Sequence, residues 1–245
     1  MEQSLVRKEP IGDGIEIFVS DNHAFGTDAI LLSDFAAPKR SDTACDLGTG
    51  CGIIPLLWCR GDAPKSAVGV DIQPEAIALA EKSIAENNLG EKFSVVLSDL
   101  LELKGKVPFG SFQLITCNPP YKAEGAGIKS KTGADKIARH ETACTLEDII
   151  EVASKLLQTS GRLCMCNRPE RLADMMALMR QYKIEPKRMR LVCQRAGCEP
   201  WLVLLEGRRC GNSGMRIEPT LYIEDGENFS EEMIRIYGSY KDGAK

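Results

Sequence analysis

The stretch with the clearest chemical potential is a turn motif that follows an apolar run. The run, residues 112–117, is typical of a buried strand, and Asn118, Pro119, Pro120 and Tyr121 follow it. Because two prolines remove backbone donors and disfavour helical backbone, the chain should leave the strand extended, with its carbonyl oxygens directed outward. The Asn118 amide oxygen and the Pro119 backbone oxygen could accept both hydrogens of one planar amine, whose ring could stack on Tyr121. The motif indicates a site for such an amine, and a tight turn with a buried tyrosine is the simpler alternative.

A second motif lies about seventy residues earlier, where the apolar residues 43–47 lead into Gly48, Gly50 and Gly52. An apolar helix is predicted to follow, so the pattern is strand, glycine turn, helix. Such a turn lets the backbone approach a ligand closely. The pattern of dinucleotide-binding folds requires its third glycine at position 53, where this chain has Ile53.

Acidic residues follow or end three predicted strands. They are Asp46, Asp71 at the end of the strand around residues 68–72, and Asp99 after the strand at residues 93–97. Open α/β sheets bind ligands at the carboxyl ends of their strands. Acids at this edge suit a ligand with a cationic group, a ribose diol and an adenine amine, and they are poorly suited to a pyrophosphate. S-adenosyl-L-methionine has these features.

Taken in order, these motifs resemble those of class I S-adenosylmethionine-dependent methyltransferases that act on amino groups. The resemblance covers about residues 25–206. Two further stretches, residues 25–28 and 139–141, are similar to the bacterial tRNA adenine-N6 methyltransferases that modify the adenine beside the anticodon of a valine tRNA. The implied reaction is methyl transfer to the N6 amine of an adenine in RNA, with tRNA as the expected substrate.

The resemblance also assigns roles to individual residues. The glycine loop and Asp46 are expected to hold the methionine end of the cofactor, Asp71 the ribose, and Asp99 with Leu100 the adenine. His140 is expected to be as much a structural residue as an RNA contact. The expected cofactor-binding residues are Thr27, Asp46, Gly48, Gly50, Gly52, Asp71, Ile72, Asp99 and Leu100, and the expected catalytic residues are Asn118, Pro119 and Tyr121.

The expected fold is a Rossmann-like α/β architecture. It has a seven-stranded, mostly parallel sheet, helices on both faces and a short N-terminal hairpin. The last strand, residues 201–205, is implied to be antiparallel and inserted between the fifth and sixth. We expect one methyltransferase domain over residues 1–245, with a hairpin and cofactor-covering segment at 1–40, a catalytic core at 41–206 and an extension at 207–245. Thr27 and Asp28 are plausible caps of the helix that they begin.

Composition narrows the class of protein. The chain has 245 residues, 43% of them hydrophobic, and no apolar run of membrane-spanning length, while its first residues are too charged for a signal peptide. We therefore expect a cytoplasmic protein. The ten cysteines include no Cys-x-x-Cys pair, and the chain has two histidines, so we interpret the cysteines as reduced core thiols and expect no metal.

The net charge of −4 conceals two basic segments. Residues 180–216 hold nine Lys and Arg against three Glu, and the glycine-containing residues 122–139 hold five against two acids. An acidic body with a basic face suits an RNA partner, since phosphate contacts need local positive charge. Both segments are candidate RNA contacts, and an ordinary solvated surface is the alternative.

Two other functions stay open. A protein glutamine N5-methyltransferase would use the same acceptor turn on a side-chain amide, but those enzymes carry an additional N-terminal helical domain, and about forty residues precede the first core strand here. A non-catalytic cofactor-binding module is disfavoured by the intact motif at residues 118–121.

Overall fold

A twisted sheet, seven of whose strands are long, forms the centre of the structure. The computed structural model describes residues 5–61, 63–119 and 144–241. The strand order is β10-β8-β9-β7-β6-β3-β4-β5, and β11 also pairs with β8. These strands are β3 (Thr43–Leu47), β4 (Ser66–Asp71), β5 (Phe93–Leu97), β6 (Phe112–Cys117), β7 (Leu157–Asn167), β8 (Ile184–Cys193), β9 (Pro200–Arg209), β10 (Arg216–Ile217) and β11 (Leu221–Tyr222).

The helices and the remaining strands surround this sheet. The N-terminal hairpin consists of β1 (Arg7–Gly12) and β2 (Ile15–Val19), paired antiparallel. A second small hairpin is formed by β12 (Glu224–Asp225) and β13 (Asn228–Phe229). The α-helices are α1 (Thr27–Ala36), α2 (Ile53–Trp58), α3 (Pro74–Glu86), α4 (Leu146–Leu156), α5 (Leu172–Gln181) and α6 (Glu231–Tyr237), and short 3-10 helices cover Leu100–Glu102, Pro169–Arg171 and Gly238–Lys241.

The topology confirms the predicted fold class. All the pairings among β3, β4, β5, β6 and β7 are parallel, whereas β9 is antiparallel to both of its neighbours, β7 and β8. The inserted antiparallel strand therefore lies where the resemblance implied. The sheet is larger than expected because β10 and β11 pair in succession along the outer edge of β8.

Two apolar cores sandwich the sheet. One contains side chains of β2, α1, α2 and α6, and the other contains those of α4 and α5. Consecutive residues of β7 alternate between them: Cys164 and Cys166 belong to the first core, and Leu163 and Met165 to the second. Because successive strand side chains point to opposite faces, this alternation fixes the face on which each residue near the sheet edge lies.

A local side-chain signal explains where α4 begins but not where α1 begins. The Thr145 hydroxyl accepts a hydrogen bond from the Asp148 backbone N–H, and the Asp148 carboxylate accepts from the Thr145 backbone N–H, which together form the capping box of α4. Neither Thr27 nor Asp28 is the N-cap of α1, although the Asp28 carboxylate accepts a hydrogen bond from the Ala29 backbone N–H in the first turn over 2.9 Å. The N-cap of α1 is Gly26, which has no side chain, and Thr27 is already the first helical residue.

Seven of the ten cysteines are buried and behave as small core residues, whereas Cys144, Cys198 and Cys210 are exposed, so the interpretation as core thiols does not hold for these three. Cys45, Cys117, Cys164 and Cys166, which lie in apolar runs, are all buried and form no disulfide. Within the described ranges, no cluster of three or more His, Cys, Asp or Glu side chains has the arrangement of a metal site. In the same part of the chain, no helix is both long and apolar enough to cross a membrane.

Candidate active site

The parallel strands bring most of the predicted site residues to one edge of the sheet. Leu47 of β3 lies opposite Val70 of β4 on one side and Cys117 of β6 on the other. Asp71, the last residue of β4, lies opposite Leu97 of β5. The glycine loop, Asp71, the residues after β5 and Asn118 therefore all emerge at the carboxyl ends of four adjacent strands.

The glycine loop turns sharply and is tied to β4. Gly48, Gly50 and Gly52 have φ values of 72°, 55° and 85°, a region that favours glycine. The Gly48 N–H donates to the Val70 carbonyl over 2.8 Å, and the Gly50 N–H donates to Asp71 Oδ2 over 2.8 Å. A Cβ atom at Gly48 or Gly50 would meet no atom within 4 Å, so the loop faces open space that a ligand can enter.

Asp71 is held by backbone donors at both of its carboxylate oxygens. Besides the bond from Gly50, its Oδ1 accepts from the Gln73 N–H over 2.9 Å, and the residue is 5% exposed. An ionised carboxylate has about four acceptor positions, so two backbone bonds leave capacity for further donors. The side chain is thus oriented by the loop that it supports.

Asp46 lies beneath the loop. It is 1% exposed, and its Oδ1 accepts a hydrogen bond from the Thr116 hydroxyl over 2.6 Å. Burial raises the pKa of the Asp46 carboxyl to about 7, and the bond from Thr116 acts in the opposite direction. The structure therefore joins Asp46 on β3 to the strand that carries Asn118.

The residues that follow β4 and β5 include both apolar and polar side chains. Ile72 is 43% exposed although it is a large apolar residue, and Leu100 is half-buried. Asp99 caps the 3-10 helix Leu100–Glu102, where its Oδ1 accepts from the Leu101 N–H over 2.9 Å. The Ser98 N–H donates to the Asp71 carbonyl, which holds the two strand ends together. This arrangement leaves an exposed apolar side chain next to Asp71.

Asn118 directly follows β6 and contacts the neighbouring strand. It is half-buried, Pro119 is buried, and Asn118 Oδ1 accepts a hydrogen bond from the Cys166 thiol over 3.1 Å. Tyr121, His140 and the basic residues 122–139 lie outside the described residues. The acceptor atoms of the predicted catalytic turn are thus described as far as Pro119.

Thr27 lies apart from the glycine loop. Its hydroxyl is 3.2 Å from the hydroxyl of Tyr237, and both residues line a cavity of about 420 Å³. The cavity is also lined by Gln194 after β8 and by Trp201 at the start of β9, which place it at the same sheet edge but beyond β7. The indole N–H of Trp201 has no hydrogen-bond partner among the described residues.

The basic segment 180–216 is spread along the whole length of the sheet. Strands β8 and β9 start and end at opposite edges, and ten extended residues span roughly 30 Å. Arg180 and Arg208 lie near the amino edge, far from Asn118. Several of the arginines are also paired with carboxylates: Arg180 with Glu185 at 3.1 Å, Arg188 with Glu206 at 2.8 Å, and Arg190 with Glu232 at 2.6 Å. The segment is therefore not one continuous basic surface.

Two residues with clear contacts in the site were absent from the predicted set. Thr116 binds Asp46, and Cys166 binds Asn118. A hydroxyl within the apolar run of β6 was a signal for Thr116. No signal in the sequence distinguished Cys166 from the other buried cysteines, because its partner depends on the pairing of β6 with β7.

Together, the sheet order and the glycine loop define the class of the fold, that of the S-adenosylmethionine-dependent methyltransferases. A crystal structure described as a predicted O-methyltransferase from Agrobacterium tumefaciens superposes with a TM-score of 0.70 at 18% identity, over 87% of this chain and 97% of that one. Geranyl diphosphate C-methyltransferase from Streptomyces coelicolor superposes with a TM-score of 0.54 at 13% identity, over 74% and 76% of the two chains.

The sequence comparison gives a narrower result. The Methyltransferase small domain family matches residues 14–184, and the chain belongs to this family. Two similar proteins are both named tRNA1(Val) (adenine(37)-N6)-methyltransferase. The one from Porphyromonas gingivalis is 28% identical over 220 residues, 86% of each chain, and the one from Parabacteroides distasonis is 28% identical over 182 residues, 74% of this chain and 75% of the other.

Proposed function

We propose that this protein transfers a methyl group from S-adenosyl-L-methionine to the N6 amine of an adenine in tRNA. The observation that carries the proposal is the position of Asn118 and Pro119 at the end of β6, next to the strand that leads into the glycine loop. The names of the two similar proteins support adenine-N6 as the target and a valine tRNA as the substrate. A cytoplasmic location follows from this substrate.

The residues at the glycine loop fit the cofactor. S-adenosyl-L-methionine supplies, when bound, a methyl group on a positively charged sulfur. The open space over Gly48 and Gly50 admits a ligand close to the backbone, and the Asp71 carboxylate has remaining acceptor capacity for ribose hydroxyls. The exposed Ile72 offers apolar surface for an adenine ring beside Asp71. Leu100 and Asp99 follow the neighbouring strand, whereas Thr27 lines the cavity beyond β7 and is left out of this cofactor site.

The acceptor turn orients the target amine. The lone pair of an adenine N6 is delocalised into the ring, which makes this nitrogen a poor nucleophile. Hydrogen bonds from its two N–H groups to Asn118 Oδ1 and the Pro119 carbonyl favour a pyramidal nitrogen with its lone pair directed away from the acceptors. A new N–C bond then forms as the S–C bond breaks, and the surplus proton leaves the nitrogen for solvent. Positioning and fixed dipoles supply the rate, and Tyr121 supplies a stacking face.

The RNA is held by positive charge near this turn. Residues 122–139 follow the acceptor motif directly and hold five Lys and Arg, whereas the chain as a whole is acidic. Phosphate contacts give an RNA-binding protein much of its affinity. We assign the main contact to this segment rather than to residues 180–216, because the latter extend to the opposite edge of the sheet and are largely ion-paired.

Methylation of a valine tRNA transcript by the purified protein tests the proposal. Mass spectrometry of the digested RNA should detect N6-methyladenosine, and Asn118→Ala should lower turnover by roughly 10²-fold, as expected for losing one fixed polar group. Calorimetry should show unchanged cofactor affinity in this variant. Absence of N6-methyladenosine from RNA treated with wild type would reject the proposed reaction, and a large loss of cofactor affinity with normal turnover would move Asn118 into the cofactor pocket.

A further inference from the structure

Asn118 has a neighbour on the adjacent strand that contacts the atom on which the proposed reaction depends. In the parallel pairing of β6 with β7, Cys117 lies opposite Met165, so the next pair along is Asn118 and Cys166. The Cys166 thiol donates to Asn118 Oδ1 over 3.1 Å, and Cys166 is 0% exposed. The contact is therefore part of the sheet geometry, and its donor is fully buried while Asn118 is half-buried.

The two ends of an amide side chain have opposite chemistry. The oxygen of Asn118 accepts two hydrogen bonds, whereas its nitrogen only donates. If the amide rotated by half a turn, a donor would face the target amine, and the proposed acceptor pair would be lost. A buried S–H group directed at one lone pair of Oδ1 favours the orientation that keeps the oxygen, and not the nitrogen, on this side of the amide.

We propose that Cys166 is a positioning residue, whose thiol holds the Asn118 amide with its oxygen ready to accept the target amine. This inference rests on the proposed function of Asn118 as an acceptor. Cys166 does not touch the substrate in this proposal and takes no part in the transfer of the methyl group or of the proton. It acts by fixing the orientation of Asn118 before the RNA binds.

Cys166→Ala tests the proposal, because it removes the donor and leaves the strand intact. Loss of one neutral hydrogen bond predicts a fall in kcat of about 3- to 10-fold, with the Kd for S-adenosyl-L-methionine unchanged. Cys166→Ser keeps a donor at the same position and should restore kcat to within about twofold of wild type. In the Asn118→Ala background, Cys166→Ala should cause no further loss, since the group that it positions is absent.

Cys164→Ala is the matched control. Cys164 lies two residues earlier on β7, faces the same core and is equally buried, but its sulfur faces Glu206 Oε2 at 3.8 Å. Its removal should change the melting temperature about as much as Cys166→Ala and leave kcat unaltered. Equal losses of kcat in the two alanine variants, failure of a folded Cys166→Ser to recover, or a full additional loss on the Asn118→Ala background would each overturn the positioning role. If Asn118→Ala itself kept full turnover, the acceptor role of Asn118 would fail as well, which separates the two proposals.

Discussion

Two carboxylates at neighbouring strand ends have different environments. Asp71 accepts from two backbone N–H groups at the surface of the glycine loop, whereas Asp46 is enclosed beneath the loop and accepts from Thr116. The first suits a direct ligand contact. The second suits support of the loop from below, so we expect Asp46 to influence the cofactor through the loop.

Asp71→Ala should weaken cofactor binding without a comparable effect on the chemical step. Hydrogen bonds to a charged group are worth about 1.5–3 kcal/mol each, so the Kd for S-adenosyl-L-methionine should rise at least tenfold. Calorimetry measures this directly. Asp71→Asn removes the charge and keeps the bond from Gly50 to the amide oxygen, while the bond from the Gln73 N–H is lost because an amide nitrogen cannot accept it. If the asparagine variant bound the cofactor like wild type, the charge would not be needed, and an unchanged Kd in the alanine variant would remove Asp71 from the site.

For individual residues, the sequence identified those that lie at the ends of strands but not the residues on neighbouring strands to which they bond. Asp46, Asp71 and Asn118 could be found because each follows or ends an apolar run. Their bonds to Thr116, Gly50 and Cys166 depend on the pairing of β3, β4, β6 and β7, which is a property of the folded sheet. The contacts of Thr27 with Tyr237 could not be found for the same reason, since 210 residues separate the two in the chain.

Strands and helices with a clear periodicity of apolar residues were predicted well, and those with a weak periodicity were not. The short apolar run within residues 190–193 predicts a strand only there, but β8 begins at Ile184. The first half of β8 carries charged residues because one face of the strand is partly exposed. These residues hide the alternation of apolar and polar side chains that would indicate a strand. Strands β10 and β11 have two residues each, too few for any periodicity. The antiparallel insertion of β9 came from the resemblance and not from the pattern.

We expect substitutions in the two basic segments, residues 122–139 and 180–216, to have different effects on RNA binding. Replacing Lys129, Lys131 and Lys136 by Ala should weaken tRNA binding and reduce the slope of log affinity against log salt by about 2 to 3 units, because three phosphate contacts are lost. The measurement is a titration of labelled tRNA over a series of salt concentrations. Cofactor affinity should not change.

A control of equal charge comes from the other segment. Replacing Arg180, Arg208 and Arg216 by Ala removes three positive charges from exposed positions of residues 180–216. We expect tRNA affinity and its salt dependence to stay near the wild-type values. The reverse result, with loss only in the arginine variant, would transfer the RNA contact to residues 180–216.

Over the whole molecule, one arginine joins parts that are distant in sequence. Arg60 Nη1 donates to the carbonyls of Ile11 at 3.1 Å and Tyr237 at 3.0 Å, and so connects the N-terminal hairpin with the end of α6. Burial lowers the pKa of its guanidinium, but an arginine side chain stays charged at neutral pH. The N-terminal hairpin and α6 are thus both hydrogen-bonded to Arg60, which follows α2.

The buried Asp46 should make stability depend on pH. Because its pKa is about 7 in the folded protein, above the value of about 4 for an unfolded chain, the folded state keeps a proton that the unfolded state releases. Stability contributed by this group is therefore complete below about pH 4 and is lost as pH rises to about 7.

Asp46→Asn removes this titration and keeps an acceptor for Thr116. The melting temperature of wild type should fall relative to the variant between pH 5 and pH 8, by a few degrees for each kcal/mol in a protein of this size, so on the order of 5 °C or more in total. Thermal scans of both proteins across this range provide the measurement. Parallel curves for the two proteins would mean that Asp46 is ionised throughout.

Trp201, which lines the cavity beyond β7, can serve as an intrinsic fluorescent probe. The chain has two tryptophans, and Trp58 is buried in α2 with its N–H bonded to the Ser33 carbonyl, whereas Trp201 lines the cavity at the carboxyl edge. In a Trp58→Phe variant, all tryptophan fluorescence would come from that edge. Its wavelength and quenching would then follow, without any label, how the surroundings of Trp201 change as cofactor and RNA are added one after the other.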